Sequence, residues 1–437
     1  MEATATRISE TEKLYRRRAA VVPKGLGIFS PASAVSASGA LVLDADGREL
    51  IDFAGGIGVM NAGHCPPPVV RAIQEQAARL MHTCFNVAVY EPYLSLAEKL
   101  AALFPHGEET RVMLTNTGAE AVENAVKFAR QATGRPAILA FEGAFHGRTM
   151  MAMTLTSKVG YKMHCGPFAP EVYRLPFPGY SAAWGTPEEE AFGLRHLQVL
   201  DEYFQKGVAA SQVAAIILEP VQGEGGFHVI SPTYLRGLRS LCDRHGIVLI
   251  LDEVQSGFGR TGRWAAYEHF GVIPDVSVWA KSMGGGMPIG CVIGKASVMD
   301  AAGPSTVGGT YPGNPVCAAA ALATLTYMEE IDINRLGVEV GLRVRAFFEQ
   351  MKSRFPDTIH AIHGLGAMLA MELVTSRQSP ATELTKKILY AANERGLMLI
   401  SAGVHGNYIR ILSPLVITPA QLDRGLEILE EAFIASL

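Results

Sequence analysis

Apolar residues in the middle of the chain gather into short runs with no alternation. They include Val213-Ala214-Ala215-Ile216-Ile217-Leu218, Ala137-Ile138-Leu139-Ala140-Phe141 and Val248-Leu249-Ile250-Leu251. Runs of this length and composition predict strands buried on both faces, as in a parallel sheet. Arg111-Val112-Met113-Leu114 and Val276-Ser277-Val278-Trp279 predict shorter ones. The segments between change period. Ala121, Val122, Ala125, Val126 and Phe128 mark one side of a helix over 119–131, and Ser231-Pro232 caps another that runs to about Arg244. Earlier helices are expected over 66–80 and from about Tyr93 to Leu103, and an Ala-rich one is expected to end near Met328. Strand, loop and helix recurring from 111 to 294 is the pattern of an α/β domain. Residues 166–192, rich in Pro, Gly and aromatics, are expected to form a long irregular excursion.

The flanks differ. Residues 40–43 and 50–53 enclose Asp44-Ala45-Asp46-Gly47, a hairpin-type turn, so 20–60 is expected to be a β-meander. Gly55-Gly56-Ile57-Gly58 follows, either a close backbone approach to a ligand or a mobile connector. Beyond 328 a helix is expected over 334–354, with short strands near 366–373, 397–400 and 408–412. A closing helix is capped by Thr418 with Pro419 and Gln421. The expected organisation is a large α/β domain with a mostly parallel sheet over 61–328 and a smaller α+β domain over 329–437. The segment 1–60 is expected to contribute to the small domain.

A length of 437 residues with 49% hydrophobic content suffices for two domains. Net charge is −4, so neither nucleic acid nor an anionic membrane is an expected partner. No apolar stretch reaches the roughly 18 residues of a membrane span. Residues 1–18 carry Arg7, Lys13 and Arg16-Arg17-Arg18 but lack an apolar core and are interrupted by Glu2, Glu10 and Glu12. A docking arm on a cytoplasmic protein is expected there, not a leader. The six cysteines form no C-x-x-C pair and are expected to be reduced, mostly buried thiols. No metal is expected: H-E-x-x-H is absent, and His360 and His363 suit a surface or cap role.

The candidate chemistry lies where the apolar runs stop. In parallel sheets ligands sit at the carboxyl ends of the strands. There the chain places Asp252-Glu253, Lys281 and Glu219, each followed by glycines. The turn Thr115-Asn116-Thr117-Gly118-Ala119 opens a helix, whose free N–H groups and positive dipole end suit an anion. Neither G-x-x-x-x-G-K nor a G-x-G-x-x-G after a strand is present, which argues against a P-loop and a dinucleotide fold. Phe145 follows another strand and either stacks on a flat ligand or packs in the core. An amine among apolar neighbours, as Lys281 is, becomes a nucleophile toward carbonyls. A carboxylate such as Asp252 can keep a ring nitrogen protonated. Lysine, acid, anion cradle and stacking ring are together the parts that pyridoxal phosphate requires.

The motif residues carry a resemblance. L-D-E-V-Q-S-G-F-G-R-T-G, then P-D-V and A-K-S-M-G-G-G-M-P-I-G, resembles the signature of the class III (ω-amino acid) aminotransferases. The likeness continues through D-F-A-G-G-I-G-V-M-N-A-G-H, H-T-C-F, T-G-A-E-A-V-E-N-A-V-K, F-H-G-R-T, E-P-V-Q-G-E-G-G-F, G-G-T-Y-P-G-N-P and I-R-I-L-S-P-L, nearly the whole chain. Within the family it is most similar to the bacterial 4-aminobutyrate type. The resemblance implies a fold-type I transferase using pyridoxal 5′-phosphate. It implies that Lys281 joins the cofactor and moves the proton, and that Asp252 pairs with the ring nitrogen. Gln255 would bond the ring hydroxyl, Val254 and Phe145 would sandwich the ring, and Glu219 would lie near it. Gly118 and Ala119 would hold the phosphate, with Thr310 reaching it from a neighbouring subunit. A homodimer or a dimer of dimers follows.

For substrates it implies an amino donor and a 2-oxo acid acceptor: 4-aminobutyrate and 2-oxoglutarate, giving succinate semialdehyde and glutamate. Arg148 would take the distal carboxylate and Arg410 the proximal one. Glu224 would cover Arg410 when no proximal carboxylate is present, and Ile57 would line the pocket. Read without the family, each arginine is a surface or structural ion pair. Asn86 stands where related bacterial enzymes carry a longer amide, which leaves 5-aminovalerate open as a donor. β-Alanine or ornithine, and a same-fold aminomutase or decarboxylase, are the further alternatives.

Overall fold

The computed structural model describes residues 8–437. At its centre lies a seven-stranded sheet in the order Thr110–Thr115, Gly290–Lys295, Val276–Trp279, Val248–Asp252, Val213–Leu218, Ala137–Phe141, Val172–Leu175. Six strands run parallel, and Gly290–Lys295 runs against both neighbours. All six residues of Val213–Leu218 are buried, as are all five of Ala137–Phe141. Helices cover both faces, so each large aliphatic side chain there stabilises the fold by about 1.5–3 kcal/mol. On one face lies Gly118–Thr133, burying Ala121, Val122, Ala125, Val126, Phe128 and Ala129. On the other, Pro187–Lys206 packs on Pro232–His245.

The excursion over 166–192 is not wholly irregular. It holds the edge strand Val172–Leu175, and the helix Pro187–Lys206 starts within it. Prolines 167, 170, 176 and 178 crowd the strand's flanks and mask so short an element. The expectation of mostly buried thiols is also corrected. Cys242, Cys291 and Cys317 are buried, but Cys65 and Cys165 are exposed and Cys84 is half-buried; all six are free.

The C-terminal part forms an antiparallel sheet in the order Ile359–Leu365, Met368–Leu373, Tyr408–Ile411, Ile400–Ala402. It carries the helices Ile333–Arg354, Thr382–Glu394 and Pro419–Ser436, the last with the expected capping box of Thr418 and Gln421. The meander Ser36–Ser38, Leu41–Leu43, Glu49–Asp52 is joined by Leu397–Met398, which pairs in parallel with Glu49–Asp52. The arm forms the helix Glu10–Val21, docked through Glu10 and Thr11 N–H groups on the Asp46 carboxylate; its part before residue 8 lies outside the described residues. His363 is not a surface residue: it is buried, with Nε2 3.0 Å from Glu372 Oε2 on the neighbouring strand. Among the described residues no helix is long and apolar enough to cross a membrane.

Candidate active site

Six parallel strands point their carboxyl ends to one edge, and the antiparallel strand begins there, Gly290 standing opposite Thr115. The loops leaving that edge enclose a cavity of about 500 Å³. Each expected strand-end group arrives: Gly118 and Ala119, Phe145 and Arg148, Glu219 and Glu224, Asp252, Val254 and Gln255, and Lys281 all line it.

Lys281 opens a short helical turn directly after the strand Val276–Trp279. Its φ is +49°, in the left-handed region, which costs a non-glycine residue roughly 1–2 kcal/mol. In that conformation its side chain lines the cavity. Burial lowers its amine to about 8; Glu224 and Asp252 act against that, and Arg410 adds to it. The amine is therefore appreciably neutral near pH 8.

Asp252 and Glu253 are sequence neighbours with opposite surroundings, because adjacent strand residues face opposite ways. Glu253 turns inward, accepting from Ser256 Oγ and from Tyr267 N (2.9 Å), and burial raises its carboxyl to about 7. Asp252 faces the cavity. Its Oδ1 accepts from Val254 N at 3.0 Å, and its Oδ2 lies 2.7 Å from Nδ1 of His146. Both side chains are nearly inaccessible. His146 lines the cavity beside Asp252 and was not singled out from the sequence; the signals were its place in the loop after a strand and in the motif F-H-G-R-T. Its Nδ1–H donating to the carboxylate would fix the acid's orientation. Glu219 accepts one backbone bond on each oxygen, from Phe145 N at 3.0 Å and Gly223 N at 2.9 Å. Burial raises its carboxyl despite His146, and Asp252 raises it further.

The helix Gly118–Thr133 starts at the cavity wall. Thr117 caps it by accepting from Glu120 N, which leaves the Gly118 and Ala119 N–H groups outside the helical ladder. A Cβ on Gly118 would lie 3.0 Å from both methyls of Val254, so only glycine leaves that backbone open. Val254 and half-buried Phe145 both present to the cavity. Gln255 is buried, and its Oε1 has no partner among the described residues. A phosphate at the helix start, a ring between Val254 and Phe145, and a hydroxyl on Gln255 therefore fit pyridoxal phosphate.

Three expected residues are not among those lining the cavity: Thr310, Ile57 and Arg410. Thr310 is exposed on a segment shared with Tyr311, whose ring meets that of His82 at a tilt of 32°, and with Gly308, beside which lies the exposed Asn86 amide. Ile57, half-buried with φ +67°, sits two residues before the lining residue Val59. Arg410 belongs to the small antiparallel sheet, opposite Ala370 and Ile400. It is buried and donates to Glu224 Oε1 at 2.6 Å. Burial pushes the Glu224 carboxyl up, but Arg410, Lys281 and Tyr161 together outweigh it and leave the group below its ordinary range. Arg148 is exposed on the cavity side, its guanidinium over the Tyr161 ring.

Residues 28–433 match the family model described as Aminotransferase class-III. The chain is 46% identical over 425 residues to a 5-aminovalerate aminotransferase, DavT, of Pseudomonas aeruginosa, covering 97% of this chain and 98% of the relative. It is 43% identical over 429 residues to the 4-aminobutyrate aminotransferase GabT of Escherichia coli, covering 98% and 99%. A taurine:2-oxoglutarate aminotransferase from Bifidobacterium kashiwanohense, solved with PLP and glutamate, superposes with a TM-score of 0.89 at 27% identity, covering 100% of this chain and 99% of that one. A lysine, a histidine-held aspartate and an anion cradle at one sheet edge, with this likeness over nearly the whole length, make the chain a member of the class III aminotransferases.

Proposed function

We propose that this enzyme transfers the amine of 4-aminobutyrate to 2-oxoglutarate, giving succinate semialdehyde and glutamate. The observation that carries the reading is the buried Glu224–Arg410 pair, 2.6 Å apart, in which Glu224 lines the cavity that also holds Lys281 and Arg148. A transaminase of this kind seats two substrates in turn. One has a single carboxylate far from the amine; the other has a second carboxylate beside it. A bare buried guanidinium is costly. Glu224 covers Arg410 for the first substrate, and the proximal carboxylate of the second replaces it. Arg148 serves the distal carboxylate of both.

Pyridoxal 5′-phosphate, the cofactor of this family, supplies a carbonyl for the amine and an electron sink for the charge left on carbon. Lys281 would hold its carbonyl carbon and, as a free amine, would move the proton at the substrate carbon bearing nitrogen. Asp252, held by His146, keeps the ring nitrogen protonated. Gly118 and Ala119 receive the phosphate, Gln255 the ring hydroxyl, and Val254 and Phe145 the ring faces, with Glu219 fixing the Phe145 backbone. Ile57 lines the way in.

Thr310 completes the phosphate site of a second copy in a homodimer or a dimer of dimers. Its absence from the lining of its own cavity supports this, as do the exposed Tyr311 next to it and the exposed Met81, whose carbonyl accepts from Asn314 on the same segment. The small domain, over 329–437 with help from 1–60, brings Arg410 to Glu224; the strand pairing of Leu397–Met398 with Glu49–Asp52 supports that division. Free thiols suit a reducing, cytoplasmic setting.

The Pseudomonas relative favours a second reading, with 5-aminovalerate as donor. A panel of 4-aminobutyrate, 5-aminovalerate, β-alanine and ornithine against 2-oxoglutarate separates them. Highest kcat/KM with 4-aminobutyrate is expected; a preference for another donor would transfer the proposal to it.

A further inference from the structure

Tyr161 ends the single turn Val159–Tyr161, outside the main sheet and its helices. Its half-buried phenol lies among the charges that choose substrate. The hydroxyl donates to Glu224 Oε2 at 3.2 Å. The Arg148 guanidinium carbon sits 4.6 Å from the ring centroid, and Lys158 Nζ sits 5.2 Å from it. The ring meets Phe145 edge-on, centroids 5.3 Å apart at 76°. Glu224 thus has one side-chain donor on each carboxylate oxygen: Arg410 on Oε1 and Tyr161 on Oε2.

Each contact has a direction. A donor on a carboxylate favours its ionised form in that position. For glutamate to reach Arg410, Glu224 must give up Tyr161 as well as the arginine. A ring face under a guanidinium attracts it and restricts its swing. One side chain therefore touches both Arg148 and the Glu224 that covers Arg410, two groups far apart in sequence.

We propose that Tyr161 is a positioning residue for substrate choice. Its hydroxyl holds Glu224 on Arg410 while the ω-amino acid reacts, and its ring holds Arg148 toward the distal carboxylate in both half-reactions. This rests on the roles given above to Arg148, Glu224 and Arg410.

The test uses the holoenzyme, with each half-reaction followed separately in single turnovers. Tyr161→Phe keeps the ring and removes the donor. The apparent KM for glutamate should fall about three- to ten-fold, the net worth of one ordinary hydrogen bond. That for 4-aminobutyrate should change less than about two-fold, because Arg410 alone still holds Glu224. Tyr161→Leu, compared with Tyr161→Phe, should raise both by a similar factor, about three-fold or more.

Glu224→Ala separates the two layers of the argument. It should itself shift the ratio of the two KM values, and Tyr161→Phe added to it should shift the ratio no further. An unchanged ratio in Glu224→Ala overturns the gate and Tyr161's part with it. A shift in Glu224→Ala with none in Tyr161→Phe overturns the Tyr161 proposal alone. So does an equal Tyr161→Phe effect in the Glu224→Ala background, or a parallel loss in both half-reactions of Tyr161→Phe.

Discussion

Lys281 is the group whose environment gives the sharpest number. Its amine is brought from an ordinary 10.5 to about 8, chiefly by burial. At pH 7 about one such amine in eleven is neutral, against about one in 3,000 for an ordinary lysine. Only the neutral amine attacks a carbonyl. The environment therefore gives an advantage of about 300-fold at pH 7, falling to about 4-fold at pH 10, where an ordinary lysine is itself partly neutral. The assay starts from protein stripped of cofactor. Pyridoxal phosphate is added at pH 7 to 10, and its visible absorbance is followed as it joins the protein. N-acetyl-lysine is run beside it, so that the cofactor's own ionisations divide out. The sign is fixed: the protein's rate should level off above pH 8 while the free lysine's still climbs. The ratio of the two rates should drop by about two orders of magnitude across the range. A constant ratio would show that Lys281 keeps an ordinary pKa and would refute the reasoning from burial.

Two further perturbations address neighbouring groups. Asp252→Asn keeps the shape that accepts from Val254 N but removes the buried charge beside His146. A loss of about 3–5 kcal/mol in transition-state stabilisation is expected, read as a fall in kcat/KM of about two to four orders of magnitude. Gly118→Val puts a branched side chain where a Cβ alone already meets both Val254 methyls at 3.0 Å. Cofactor affinity, titrated by absorbance, should weaken at least ten-fold with little change in the apoprotein's melting, since only the cradle is obstructed.

Much of this site was legible because parallel strands buried on both faces are written as unbroken apolar runs. Ala137–Phe141 and Val213–Leu218 match their runs residue for residue. Once those strands are assigned, their carboxyl ends name Glu219, Asp252 and Lys281 directly. What stayed hidden depends on pairing across the chain. The reversed direction of Gly290–Lys295 follows from its neighbours, not its composition. The helix Pro187–Lys206 is largely exposed, burying only Glu189, Gly193, Leu200 and Phe204, so its apolar stripe is faint. His146 is 106 residues from Asp252, and Tyr161 is 63 from Glu224. A single polar residue in a loop leaves no periodic trace. Arg260 shows the converse. It stands in the signature F-G-R-T-G, yet it is wholly buried and donates to Asn61 and the Leu412 carbonyl, tying distant segments together beneath the site.

The central claim is that one cavity moves an amine between an ω-amino acid and a 2-oxo diacid by alternating the partner of Arg410. The most direct test supplies 4-aminobutyrate carrying isotopically labelled nitrogen, with 2-oxoglutarate, to the holoenzyme and to Lys281→Ala. Label should appear in glutamate, with an equal amount of succinate semialdehyde, and should be absent with Lys281→Ala. Label that never reaches glutamate from any ω-amino acid, or that reaches it without Lys281, would contradict the account.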